Sequence, residues 1–329
     1  MSYQPPFTLT DRILNLTSRF SEKLGNWTAK GDAKLTPALR RSNRIKTIQA
    51  SLEIEQNTLS IEQVRAVIEG KAVLGPPSEI QEVKNAILVY EKLPQWKATS
   101  QKNLLEAHRI LMSALLDDAG SYRKGGVGVY QNGKLIHMGP PPGELHRLMK
   151  DLFHWLAKTK QHPLLASCLF HYEFEFIHPF SDGNGRIGRL WQTMILSEWH
   201  SDLAWLPVET IVRDRQDNYY AALAQADNQA EATIFVEFML EALMDALEKA
   251  LADSEGVSDE VSDVVNIKLD AIDHKILNCC REMPYITQEQ LAERIGKSLS
   301  TIQRRIRKLK QQYLFRIGSD KTGYWQVMD

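Results

Sequence analysis

Residues 164–177, LLASCLFHYEFEFI, are apolar on most sides of a helix, with Leu164, Leu165, Leu169, Phe174 and Ile177 spread around the axis. A helix without a wide polar stripe has to be enclosed by others, so this segment alone calls for a multi-helix body built around it. It must stop before Pro179, because the residue preceding a proline is pushed out of the α region. His178 therefore sits at the exit of a buried helix. The turn that follows, Ser181-Asp182-Gly183-Asn184-Gly185, has glycines that permit positive φ and leave backbone N–H groups open to a ligand.

Arg186 and Arg189 fall three apart in the first turn of the next helix, on one face and beside the positive end of its dipole. Turn amides, helix N-terminus and two forked guanidiniums together make a cradle for phosphate. Asp182 lies inside that cradle, where a carboxylate would repel phosphate unless a divalent cation sat between them. Mg²⁺, satisfied by one or two carboxylates plus phosphates and waters, suits the position. His178, with an ordinary pKa of about 6.5, can take a proton from an attacking hydroxyl. Singly, each feature is compatible with a plain turn, a helix-end histidine or a solvated arginine face. In combination they imply metal-assisted attack at phosphorus.

Elsewhere the chain reads as a succession of helices, at about 36–56, from Ile61 to a stop at Gly70, and at 78–93, 101–115, 144–159, 185–199, 209–228 and 232–252, with apolar residues three and four apart. One stretch breaks the pattern. Val127, Val129 and Tyr130, then Leu135 and Ile136, flank Gln131-Asn132-Gly133-Lys134, whose Asn-Gly pair signals a β-hairpin. The acidic, small-residue segment ADSEGVSDEVSD reads as a linker, placed at 253–266.

The 329 residues suffice for a large core plus a small second domain, and 43% apolar with 25% charged is ordinary globular composition. The N-terminus lacks the charged start and apolar run of a signal peptide, and no stretch of about 18 apolar residues is present, so a cytoplasmic address without a membrane partner is expected. Three cysteines, Cys168, Cys279 and Cys280, lack CxxC spacing and read as reduced and structural. The net charge of −1 conceals an asymmetry: residues 265–329 carry twelve Lys and Arg against seven Asp and Glu, whereas the remainder is acidic. That tail is the part suited to a polyanion.

The run His178 to Arg189, HPFSDGNGRIGR, fits HPFx[D/E]GNGRxxR at every specified position, and on it the chain resembles the Fic family over about 40–250. The resemblance implies a mainly α fold: a Fic-type helical bundle with a β-hairpin flap. It also implies transfer of AMP from ATP, with Mg²⁺, to a Ser, Thr or Tyr hydroxyl of a target protein or of the enzyme itself. His178 would be the base and Asp182 the Mg²⁺ ligand. Gly183, Asn184 and Gly185 would form the anion nest, with Arg186 on the β-phosphate, Arg189 on the γ-phosphate and Phe180 a buried anchor. Tyr219 and Tyr220 match a tyrosine pair near the nucleotide pocket. Tyr130, Gln131, Leu135 and Ile136 correspond to the flap that pairs with an extended target segment.

Many relatives carry [S/T]xxxE[G/N] on a helix whose glutamate pairs with the second motif arginine. Ser51 to Glu55 fits, with Gln56 where Gly or Asn is expected. This is similar to the N-terminally inhibited class, with Glu55 pairing Arg189 and low basal transfer. Glu69-Gly70 is a weaker candidate, since Arg65 stands where Ser or Thr should be. In such proteins the same glutamate can orient a water that removes AMP. Fic surfaces often dimerise, so a homodimer is a further expectation.

Residues 270–313 read as three helices, the second with Thr287 as cap and Gly296 as stop, and the third with Ile302, Ile306 and Leu309 on one face. Arg304, Arg305, Arg307, Lys308 and Lys310 should turn mostly outward. A strand, turn and strand follow, so the segment resembles a small winged-helix (α+β) domain, with DNA contacts assigned to Arg304, Arg305 and Lys308. The division expected is an N-terminal helical region with the inhibitory helix over 1–98, a catalytic core over 99–252, the linker, and a winged helix over 267–329. A rival reading makes the body a nucleotide-responsive sensor and the winged helix its output.

Overall fold

The computed structural model describes residues 3–29, 36–131, 134–256, 269–309, 313–317 and 323–327. Helix α1, Asp11–Ala29, buries Ile13, Leu16, Phe20, Leu24 and Trp27, one stripe at helical spacing. It packs on the long helix α11, Thr233–Gly256. Helix α2, Pro37–Ile54, starts at Thr36, whose hydroxyl accepts from the Leu39 N–H. The short α3, Ile61–Ile68, is opened by a capping box between Ser60 and Gln63. Helices α4, Pro77–Lys92, and α5, Gln101–Leu111, pack on each other.

The hairpin strands β1, Gly128–Gln131, and β2, Lys134–Met138, pair antiparallel with Tyr130 opposite Leu135 and an irregularity between Val129 and Tyr130. Then come α6, Leu145–Lys158, α7, Pro163–Ile177, and α8, Asn184–Trp199. Helix α7 is buried along nearly its whole length, as its all-round apolarity demands, and α8 lies against it. They approach so closely that a Cβ on Gly188 would run into Glu175 and His171. The segment 209–228 is two helices rather than one, α9, Val208–Asp214, and α10, Gln216–Gln229. The chain leaves helical geometry at Arg215 (φ −120°, ψ 33°), and the Gln216 amide beyond the break donates to the Ile54 carbonyl at the end of α2.

A second, separate core holds the C-terminal domain: α12, Ala271–Glu282, α13, Gln288–Ile295, α14, Leu299–Leu309, and the antiparallel pair β3, Leu314–Ile317, and β4, Tyr324–Val327. Trp325 anchors it, its indole N–H donating to the Ile286 carbonyl at 2.8 Å. Helix α11 extends through Gly256, so the first residues of the expected linker are helical, while its remainder lies outside the described residues. The three cysteines are free thiols. Among the described residues no helix is long and apolar enough to cross a membrane.

Candidate active site

Helix α7 ends where Pro179 requires. His178 takes the left-handed conformation (φ 47°, ψ 61°), and its N–H still reaches the Phe174 carbonyl at 2.9 Å. The loop to α8 is clamped from three sides. Asn184 accepts from the Phe180 N–H and donates to the Phe180 carbonyl, both at 2.9 Å. His108 on α5 stacks on the fully buried Phe180 ring at 3.6 Å, accepts from the Gly120 N–H on Nδ1 and meets the Asp182 carbonyl with Nε2 at 3.0 Å. That pattern needs a neutral imidazole, and burial pushes the His108 pKa down to about 4. The third clamp, Arg123, donates to the carbonyls of His178 and Gly125 at 2.8 Å and of Pro140 at 2.7 Å. One guanidinium thus ties both feet of the hairpin to the histidine.

Gly183 opens α8 at φ 79°, and a Cβ there would strike Met112, so positive φ and close approach both require glycine. In the first turn Arg186 donates to Glu82 at 2.8 Å and to Asp182 at 3.2 Å. Arg189 is wholly engaged by α2: Nε donates to the Ser51 hydroxyl at 3.1 Å, and Nη2 to the Ser51 carbonyl at 2.9 Å and the Glu55 carboxylate at 2.8 Å. The arginine side chain is 3% exposed and Glu55 28%. Burial would lower the Arg189 pKa, but Glu55 outweighs it and the guanidinium is held more firmly protonated than usual. Glu55 lies over Gly185, where any Cβ would collide with its carboxylate.

Behind the pair, Glu175 is pressed upward in pKa by burial, yet His171, His178 and Arg189 hold it below the usual carboxylate range. Gln192, His171 and Tyr219 form a buried relay, with 2.7 Å and 3.1 Å to the two imidazole nitrogens. Between these groups lies a cavity of about 100 Å³ lined by Glu55, His178, Gly185, Arg189, Tyr219 and Tyr220.

Comparison with known proteins gives the family of the fold that carries this site. Residues 98–196 match the model of the Fic/DOC family, and residues 269–312 that of a winged helix-turn-helix DNA-binding domain. A crystal structure of a Fic family protein from Desulfovibrio desulfuricans G20 superposes with TM-score 0.75 at 45% identity, over 99% of this chain and 98% of that one. The chain belongs to the Fic family. Fic-1 from C. elegans shares the fold of this Fic chain at TM-score 0.58 and 22% identity, over 74% of this chain and 72% of that one. The protein adenylyltransferase Fic of Drosophila grimshawi is 32% identical over 217 residues, covering 62% of this chain and 43% of the fly protein. That of Drosophila erecta is 30% identical over 249 residues, covering 70% and 48%. The chain thus spans less than half the length of these curated relatives.

In this Fic chain the structure brings His178, Asp182, Arg186, Arg189, Ser51, Glu55, Tyr219 and Tyr220 together. Asn184 turns its side chain into the loop clamp, leaving only backbone for an anion nest. The rival Glu69 lies 3.0 Å from Arg41 and also pairs Lys71. Of the flap, the backbone pairing of Tyr130 with Leu135 and of Gln131 with Lys134 is described, and Ile136 falls at the register irregularity of β2; their side chains and the Asn132-Gly133 turn lie outside the described residues.

One expectation is corrected in the winged helix. Arg305 and Lys308 are half-buried and engaged within the domain: Arg305 pairs with Asp270 and with Asp273 at 3.0 Å, and Lys308 with Asp273 at 2.8 Å. Asp273 is fully buried, and a buried carboxylate demands partners, which these two cations supply. Arg304 and Arg307 are exposed, and Lys310 lies outside the described residues. Sequence reading also missed His108, Arg123, Glu82 and Glu175. Only His108, a polar residue at an apolar position of α5, left a signal that could have been read.

Proposed function

We propose that this chain is an Mg²⁺-dependent protein adenylyltransferase, moving AMP from ATP to a Ser, Thr or Tyr hydroxyl on a target protein or on itself, with Glu55 restraining it. The observation that carries the reading is the gathering of His178, Asp182, Arg186 and Arg189 at the N-terminus of α8, beside a cavity walled by two tyrosines. The names of the fly relatives support it. In this reading residues 1–98 carry the inhibitory helix, 99–252 the catalytic core and 267–329 a DNA-contacting module whose free face holds Arg304.

The Nδ1 of His178 lies 3.3 Å from the Glu175 carbonyl, so a proton on Nδ1 leaves the Nε2 lone pair for the target hydroxyl. As that proton moves to His178, the target oxygen bonds to the α-phosphorus, and the bond from the α-phosphorus to the bridging oxygen breaks. Pyrophosphate departs with the electron pair. Arg186, Arg189 and the amides of the α8 N-terminus would hold the phosphates. The Asp182 carboxylate, 59% exposed, has room for a cation whose other ligands come from phosphates and water, so the residues present fit Mg²⁺. The cation would neutralise charge developing on the polyphosphate.

While Glu55 occupies Arg189, a γ-phosphate has neither its guanidinium nor a neutral approach. The test is transfer of α-phosphate label from ATP with Mg²⁺. Strong labelling by Glu55→Gly, weak labelling by wild type and none by the Glu55→Gly, His178→Ala double variant is expected; unlabelled Glu55→Gly protein would refute the reading. Glu55 also lies where it could orient a water, which favours a second reading as a de-AMPylase. Wild-type protein stripping label from labelled Glu55→Gly would establish that direction, and stable label would dismiss it.

A further inference from the structure

A larger cavity, about 200 Å³, lies away from the active site, between α2, α4, the turn Ser201–Trp205 and strand β4 of the winged helix. Ile45, Ile48, Ile68, Ile87 and Leu93 give it apolar walls, and Gln326 of β4 closes one side. Beside Gln326, the Tyr324 hydroxyl donates to Glu91, another wall residue, at 3.3 Å, so the two domains meet at this hollow.

Arg44 also lines it. Its guanidinium carbon lies over two rings, 4.3 Å from the centre of Tyr90 and 4.6 Å from that of Trp205. The Nη1 of Arg44 is buried and has no hydrogen-bond partner among the described residues. A buried cationic donor left unsatisfied is costly, and a native structure that retains one invites an acceptor from outside. Burial holds the Arg44 pKa below its ordinary value, against the raising pull of Tyr90, Glu209 and Glu91. Arg41, held by Glu69 at 3.0 Å, lines the cavity as well, together with the carboxylate of Glu91. Apolar engineered cavities of about 150 Å³ take up benzene, so the volume suits one aromatic ring with a small substituent.

We propose that this cavity binds a small aromatic carboxylate of benzoate size, its ring against the isoleucines and its carboxylate on Arg44. Arg44, Ile48, Ser51 and Glu55 follow one another at spacings of four, three and four along a single stripe of α2, so the occupant sits on the helix that holds Arg189. A polar route runs in parallel. The Tyr90 hydroxyl donates to buried Glu209 at 3.2 Å, and Glu209 feels the charges of both Arg189 and Arg44. A ligand here would therefore shift the hold of Glu55 on Arg189; this consequence, unlike the binding, rests on the transferase reading.

The test is calorimetric titration of the full chain with benzoate and with the isosteric, neutral benzamide. Benzoate should bind about tenfold more tightly than benzamide, as expected for a charge-assisted contact. Arg44→Met should erase that preference. Ile48→Phe should fill the cavity and abolish binding. Ile87→Phe, filling it from the opposite wall, should do the same and guards against a variant that fails to fold, with cooperative melting as the check. Benzamide binding as well as benzoate, benzoate binding unchanged by both filling variants, or no heat at millimolar benzoate would each overturn the proposal. Added benzoate should change wild-type labelling and leave Glu55→Gly labelling unchanged. A Glu55→Gly protein that never labels would instead sink the transferase reading while the titration still stands.

Discussion

The basic groups of α8 and of α14 look alike in sequence and do different work in the fold. On α8, Arg186 and Arg189 are 5% and 3% exposed, and each is held by a carboxylate from more than a hundred residues earlier, Glu82 and Glu55, with Asp182 a second, local partner of Arg186. On α14, Arg305 and Lys308 are 20% and 36% exposed and pair with Asp270 and Asp273, the first of which also caps α12. A deeply buried guanidinium has to keep an anion, so any anion that displaces Glu55 must replace its contacts. In the proposed function that makes the Arg189 site exclusive, open to glutamate or phosphate but not both. The α14 pairs answer to a buried aspartate of their own domain and serve as a brace. Composition counts both sets as positive charge; burial and the origin of the partner separate them.

The contrast is broken most severely at the base. In a Glu55→Gly background, His178→Ala should lower the initial rate of label transfer by roughly 10²–10⁴-fold, the range for losing a general base. Next comes the exclusive pair itself: Glu55→Gly should raise labelling over wild type by roughly 10- to 100-fold, the worth of a hydrogen bond to a charged group. On the brace, replacing Arg305 and Lys308 together by Ala strands Asp273. Denaturant titration should show the winged helix weakened by about 3 kcal/mol, with Glu55→Gly labelling intact; loss of labelling would mean that the two regions are not separable.

Smaller effects sharpen the picture. Gln56 stands at φ 70°, which explains why the family motif has Gly or Asn there. Gln56→Gly should relieve that strain by about 1 kcal/mol, partly offset by a freer unfolded chain, and calorimetry should find a melting temperature raised by no more than about 1 °C. Arg304→Gln should leave stability unchanged and, in a fluorescence titration with duplex DNA, reduce the salt dependence of binding by about one ion.

Much of this was legible because the candidate reacting groups from His178 to Arg189 are contiguous. The extent of α7, its stop before Pro179 and the anion-facing start of α8 all follow from local chemistry between Leu164 and Arg189. Helix α1 was also legible in principle, since Ile13, Leu16, Phe20, Leu24 and Trp27 recur at helical spacing, although polar residues interleave them. The clamps were not. Arg123 reaches His178 across 55 positions and Glu82 reaches Arg186 across 104, and nothing local in RKGG or IQEVK announces those meetings. Likewise the apolar stripe of α14 is plain in the sequence, whereas the turning of Arg305 and Lys308 toward α12 depends on a buried Asp273 that only the fold creates.

The claim that Glu55 stands in the place of a γ-phosphate is tested most directly by nucleotide affinity rather than by turnover. Dissociation constants for ATP and ADP, with Mg²⁺, can be measured on His178→Ala protein with and without Glu55→Gly, so that no transfer intrudes. The account predicts similar affinities for the two nucleotides while Glu55 is present, and a preference for ATP of at least about tenfold once it is gone, because Arg189 then gains a charged partner that ADP cannot supply. An ATP-to-ADP ratio unchanged by removing Glu55 would contradict it.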